Sequence, residues 1–176
     1  MQENGGARGQ ETGQEGQEGR RPGFTIRLAG PADHPGLAAL YRRASLANER
    51  DREFLLSEPD LLQMDSLAID CACMWLAEAA ETGGRILGFV SLEPGPVDTQ
   101  TVMLDGLFVE PDLWRHGLGR ALLAHACERA HDSGALSMEV LANTHALAFY
   151  RREGFESLGE EPQRFGVAHR MRRQLA

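Results

Sequence analysis

The segment Leu107-Phe-Val-Glu-Pro-Asp-Leu-Trp-Arg-His-Gly-Leu-Gly-Arg-Ala-Leu-Leu123 carries residue types that could bind an anion. Leu104, Gly106 and Phe108 alternate with Asp105, Leu107 and Val109, which predicts a strand, and Glu110-Pro111-Asp112 stops it. Leu122, Leu123, Ala126, Cys127 and Ala130 recur at helical spacing and predict a helix with one buried face. Gly117 and Gly119 stand at its mouth. Glycine there lets a ligand approach the bare N–H groups of the first turn, and the helix dipole favours negative charge. Arg115, His116 and Arg120 crowd the same corner, so the chemistry indicated is pyrophosphate binding. A tight turn with close helix–strand packing accounts for the two glycines equally well. The nucleotide loop ending in Gly-Lys-Ser/Thr is absent, because Arg120 and Ala121 follow Gly119. The dinucleotide fingerprint matches poorly, since Leu122 takes the place of its third glycine.

A second segment, Asn143-Thr-His-Ala-Leu-Ala-Phe-Tyr-Arg-Arg-Glu-Gly-Phe155, decides between these readings. Asn143 suits a helix N-cap after a strand at Leu136–Leu141. Ala146, Phe149 and Tyr150 share one helical face, and Gly154 suits a left-handed C-terminal cap. Together the two segments resemble the GNAT superfamily of acyl-CoA N-acyltransferases over roughly residues 24 to 175. The family's phosphate-loop pattern, Gln/Arg-x-x-Gly-x-Gly/Ala, falls on Trp114-Arg-His-Gly-Leu-Gly119. The second segment carries every named position of Asn-x-x-Ala-x-x-Phe-Tyr-x-x-x-Gly-Phe. One departure is clear: Trp114 replaces the usual Gln/Arg, so Arg115 or Arg120 must supply the charge.

The resemblance implies acetyl-CoA as acyl donor, without a metal, and an amine acceptor on a small molecule or peptide. It implies cofactor contacts from the strand Leu107, Phe108 and Val109, from Arg115, His116, Gly117, Leu118, Gly119 and Arg120, and from Asn143, Ala146, Phe149 and Tyr150. In the family the first strand splays from the Leu136–Leu141 strand, and pantetheine inserts as a pseudo-strand. Unpaired N–H groups on a splayed strand would polarise the thioester carbonyl. Tyr150 is the expected general acid, because its phenol holds a proton at neutral pH. Glu139 is the expected base, with Asp105 and ordered water as alternatives and Glu78 behind them. Met103 occupies the place where other members carry a catalytic glutamate. The acceptor pocket is expected from residues 45 to 65 and the loops 93–100 and 159–166. A non-catalytic acyl-CoA-binding module of the same fold is the competing reading.

The elements needed to position these groups follow from the rest of the chain. Residues 1 to 23 are mostly Gly, Gln, Glu and Arg and read as a disordered tail; residues 24–176 read as one domain. An alternating strand opens at Phe24, and Asp33 is placed to cap a helix burying Leu37, Leu40, Tyr41 and Ala44. A second helix is expected around Pro59-Asp-Leu-Leu. Strands follow at Met74–Glu78 and Ile86–Leu92, joined at Gly83-Gly84, and a last strand near Val167–Arg173. The fold class is α/β (α+β): a GNAT fold with a mixed sheet of about six to seven strands and helices on both faces. The net charge of −8 makes a nucleic-acid partner improbable. All 18 positions counted as Lys+Arg are arginine. No apolar run suggests a membrane span or a secretory leader, and three cysteines argue against a disulfide framework. A cytoplasmic protein, with homodimerisation open, is the expectation.

Overall fold

The computed structural model describes residues 23–80, 84–95, 100–163 and 166–176. The segment assigned to a tail lies outside them apart from Gly23. So do Gly83 of the hairpin turn and parts of the acceptor loops at 93–100 and 159–166.

Seven strands form one sheet: β1 (Phe24–Leu28), β2 (Met74–Ala79), β3 (Ile86–Pro94), β4 (Thr101–Val109), β5 (Ser137–Ala142), β6 (Glu156–Gln163) and β7 (Gly166–Gln174). Their order is β1-β2-β3-β4-β5-β7-β6. Neighbours are antiparallel except β4 and β5, which run parallel. A parallel joint needs a long crossover. That crossover is α4 (Leu118–Asp132), whose buried face of Leu118, Leu122, Leu123, Ala126, Cys127 and Ala130 packs on β2 to β5. The helix α5 (Leu147–Arg152) joins the same apolar layer through Tyr150. The opposite face is covered over β3 and β4 by α1 (His34–Leu46), which buries Leu37, Leu40 and Ala44 against Leu76 and Phe89. The mixed sheet with helices on both faces is therefore present.

Three local expectations change. The helix near Pro59 is a 3-10 turn, Pro59–Leu62; the α-helix comes earlier, as α2 (Glu49–Ser57), and a single turn, α3 (Leu67–Asp70), follows. Asn48 starts α2 by accepting a hydrogen bond from the Arg50 N–H at 3.2 Å, a cap preference that composition hides. Asp33 precedes α1 without capping it; its carboxylate accepts from the Gly30 N–H at 2.8 Å and from the Arg27 guanidinium. The polar stretch expected as a loop after residue 159 belongs to β6. That edge strand is exposed along nearly all its length, so it lacks the apolar alternation that marks a half-buried strand.

Candidate functional site

The β4–β5 joint opens partway along its length. The strands pair at Thr101↔Ser137, Val102↔Met138, Met103↔Glu139 and Leu104↔Val140, and no further. Past that point β4 continues to Val109 beside β3, while Leu141 and Ala142 continue beside β7. A gap therefore separates the carboxyl ends of two adjacent strands. An extra residue helps to open it: Ser91 pairs with Gly106 and Leu92 with Leu104, leaving Asp105 unpaired in a β-bulge.

The hydrogen-bond alternation shows which β4 groups face the gap. The Glu110 N–H donates to the Leu87 carbonyl of β3 at 2.9 Å. Direction alternates along a strand, so the Phe108 N–H also faces β3. The N–H groups of Leu107 and Val109 face the open side. Phe108 thus departs from the expected donor set; its ring instead packs between Tyr41 and Phe89, with centroids 4.9 and 5.2 Å away.

Below the gap lies the glycine turn. Its left-handed residues are Arg115 and Gly117, with φ of 66° and 88°. Gly117 is the N-cap of α4, and a Cβ on it would meet open space. The N–H groups of Gly117, Leu118, Gly119 and Arg120 donate to no backbone carbonyl among the described residues, as the first turn of a helix requires. Leu118 offers only that N–H, because its side chain is buried. Gly119 lies where β4 and α5 meet: a Cβ there would stand 3.7 Å from Val109 and 3.9 Å from Phe149. Trp114, the departure from the family pattern, donates from its indole Nε1 to the Val109 carbonyl at 2.9 Å. It fastens the turn to the strand end rather than presenting a polar group. His116 Nδ1 lies 2.8 Å from the Trp114 carbonyl. Arg120 is exposed and pairs with Glu153 at 3.4 Å, whereas Arg115 has no ion-pair partner among the described residues. The turn thus carries free backbone donors and two exposed arginines, Arg115 and Arg120.

Asn143 holds the start of the second motif: its Oδ1 accepts from the Ala146 N–H at 2.9 Å. The α-helix begins one turn later than Asn143 suggests, at Leu147, with Ala146 as N-cap. Phe149 and Phe155 flank the Tyr150 ring edge-on at 5.1 and 5.3 Å. Tyr150 is buried in that apolar layer, and its hydroxyl hydrogen-bonds to no described residue. Burial pushes its ionisation above the ordinary phenol value, so the proton stays in place at neutral pH.

Glu139 is only 1% exposed. Arg170 Nε donates to one carboxylate oxygen at 2.7 Å, and Arg172 donates to the other from Nε, also at 2.7 Å, and from Nη2. Burial raises the proton affinity of this carboxyl, but the two arginine hydrogen bonds outweigh it and lower the pKa below the usual carboxylate value. Glu139 is thereby a poor proton acceptor, which speaks against the base role expected of it. That pairing joins residues 31 and 33 positions apart and follows from strand register alone. Asp105 has a different setting. It is exposed at the bulge, where the gap opens, and accepts from Ser91 Oγ at 2.9 Å. Glu93 stands near it, and repulsion from Asp105, then burial, then Asp65 raise the Glu93 pKa.

Among the described residues no three His, Cys, Asp or Glu side chains cluster as a metal site, and no helix is long and apolar enough to cross a membrane. His125 sets its ring edge-on to Trp75 at 5.7 Å.

Known proteins resemble this chain in sequence and in fold. The chain is 27% identical over 139 residues to "Probable N-acetyltransferase Rv2775" of Mycobacterium tuberculosis, covering 74% of this chain and 78% of that one. It is 40% identical over 98 residues to the mycothiol acetyltransferase of Clavibacter sepedonicus, covering 53% of this chain and 30% of the longer protein. The fold matches the PaiA N-acetyltransferase of Thermoplasma acidophilum, solved with coenzyme A, with a TM-score of 0.64 and 19% identity over 86% of this chain and 99% of that one. The family described as acetyltransferase (GNAT) matches residues 37–155, and with that match the chain belongs to the GNAT family.

Proposed function

We propose that the protein transfers an acetyl group from acetyl-CoA directly to a primary amine. The observation that carries this reading is the gap beyond Leu104↔Val140, with the Leu107 and Val109 N–H groups on its β4 side and the bare first turn of α4 meeting Val109 and Phe149 at Gly119. Gly117, Leu118 and Gly119 would hold the diphosphate through backbone N–H groups, with Arg115 and Arg120 adding charge. The thioester supplies an activated acyl carbon. The two β4 N–H groups face the place where negative charge develops on its carbonyl oxygen. Asp105 accepts the amine proton, directly or through water, and Tyr150 donates to the departing thiolate. The solved relative with coenzyme A supports the choice of donor.

Calorimetry with acetyl-CoA tests the donor site: saturable binding below millimolar concentration is the expected result, and its absence sinks the reading. Tyr150→Phe should lower kcat roughly 10²-fold or more while acetyl-CoA affinity stays within about twofold. Binding without CoA release for any amine would instead support a non-catalytic module.

A further inference from the structure

We infer that the acceptor is a short amine bearing a carboxylate, held by Arg170 and Arg172 on the open face of the sheet; this rests on the acyl-transfer reading above. Cross-strand partners share a face. The register Glu93↔Met103↔Glu139↔Arg172 therefore forms one row across β3, β4, β5 and β7. Leu141↔Arg170 forms the next row, level with the gap. Both rows lie on the face of Phe89, which α1 covers over β3 and β4. Beyond β4 that face is open: Leu141 is 39% exposed, and the Arg170 and Arg172 side chains are 39% and 43% exposed.

The guanidiniums reach back over β5 to Glu139 and are not exhausted by it. Glu139 engages Nε of Arg170 and both Nε and Nη2 of Arg172. An arginine has five N–H donors, so an outward edge remains on each. Glu161 lies 3.7 Å from Arg170 Nη1, at the exposed rim, too far for a hydrogen bond. Glu139 and Glu161 balance the two arginines in charge, so the pair offers a carboxylate its free N–H edges rather than a net positive charge. Across the gap, on β4 and β3, stand Asp105 and Glu93. The floor thus presents carboxylates on the side of the attacking amine and guanidinium N–H donors over β5. The two ends are at least one strand spacing apart, ~5 Å, and the opening of the β4–β5 joint widens this. A zwitterion with amine and carboxylate a few atoms apart matches both, and a planar carboxylate suits the arginine fork.

The test uses the full-length protein, acetyl-CoA and matched acceptors: L-amino acids and short ω-amino acids, each beside its primary amide. CoA release gives kcat and KM, and calorimetry on CoA-saturated protein gives binding. The acid of the best pair should exceed its amide roughly tenfold in kcat/KM. Arg170→Gln should raise KM for that acid about tenfold and leave the amide within about twofold, with Arg170→Lys recovering part of the loss. Glu139→Gln removes the competing carboxylate and should lower KM for the acid, an effect a purely structural ion pair would not produce. Equal use of acid and amide, or an Arg170→Gln effect shared by both, overturns the inference while leaving acyl transfer intact. If no acceptor releases CoA, yet acids bind and amides do not, transfer fails and the anion subsite stands. If neither binds, the subsite is overturned.

Discussion

The two halves of the sheet are held in different ways. Around β2 to β4, helices pack on both faces, and side chains such as Leu76, Leu37, Leu40 and Phe89 are buried almost completely. From β5 to β6, one face carries an ion-paired carboxylate under arginines, and β6 is an exposed edge. The seam between the halves is the parallel β4–β5 joint, where pairing stops after four residue pairs. Apolar packing gives one half a rigid wall, and the charged face of the other stays wet. A site that needs fixed N–H donors on one side and room for a polar substrate on the other fits at that boundary.

The sharpest way to break this contrast is to delete equal volumes on each side. Leu76→Ala, at 0% exposure between β1 and β3, should cost about 2–5 kcal/mol of unfolding free energy. Leu158→Ala on β6, where the side chain is 49% exposed, should change stability by less than about 0.5 kcal/mol. Urea denaturation of both variants checks this, and similar costs would show that β6 is packed after all.

The charged half should reveal itself by acid. The folded state holds the Glu139 pKa below its unfolded value, so this contribution is full above the unfolded carboxyl value of about 4.3. It is lost as pH falls through the lowered folded value. Glu139→Gln should lose roughly 1–3 kcal/mol at neutral pH and show a shallower fall of stability between about pH 5 and 3. Parallel curves for wild type and variant would remove Glu139 from the acid response.

The same contrast explains what could be read without coordinates. The α4 and α5 motifs are local: glycines, caps and apolar spacing lie within one element, so Gly117, Gly119, Asn143 and Tyr150 were legible as a set. The strands with a buried face were legible through alternation. The edge strand β6, rich in Glu, Gly and Pro, has no such signal. Nor does the engagement of Glu139, because only the register of β5 against β7 brings Arg170 and Arg172 to it. The bulge at Asp105 likewise depends on β3 pairing. Trp114 could be seen as a departure, but its bond to Val109 required the turn to close back on the strand.

At the seam itself the cost of substitution is conformational. Gly117→Ala meets no steric obstacle but places an L-residue at φ 88°, which costs about 1–2 kcal/mol. Acetyl-CoA affinity should fall with it, because the turn presents its N–H groups only in that conformation. Calorimetry paired with a thermal melt checks both, and full affinity in a destabilised variant would detach the turn from the donor site.

The smallest expected effect lies on the packed side. His125 Nε2 is buried without a hydrogen-bond partner among the described residues, and the ring rests edge-on against Trp75. Burial lowers its pKa below the ordinary histidine value, Arg129 adds to this, and Glu128 opposes it. His131 and Arg173 line the same shallow depression. A histidine with a lowered folded pKa stabilises the fold in its neutral form. That contribution is complete above about pH 6.5 and fades as pH falls through the folded value. His125→Phe keeps an aromatic ring against Trp75 and removes the titration. The loss of stability of the wild type between pH 7.5 and 5 should exceed that of the variant. The difference should stay under the ~1.4 kcal/mol that one full pKa unit represents, because the ring is partly exposed and screened. Urea midpoints at three pH values measure it, and an unchanged slope in the variant would remove His125 from the response.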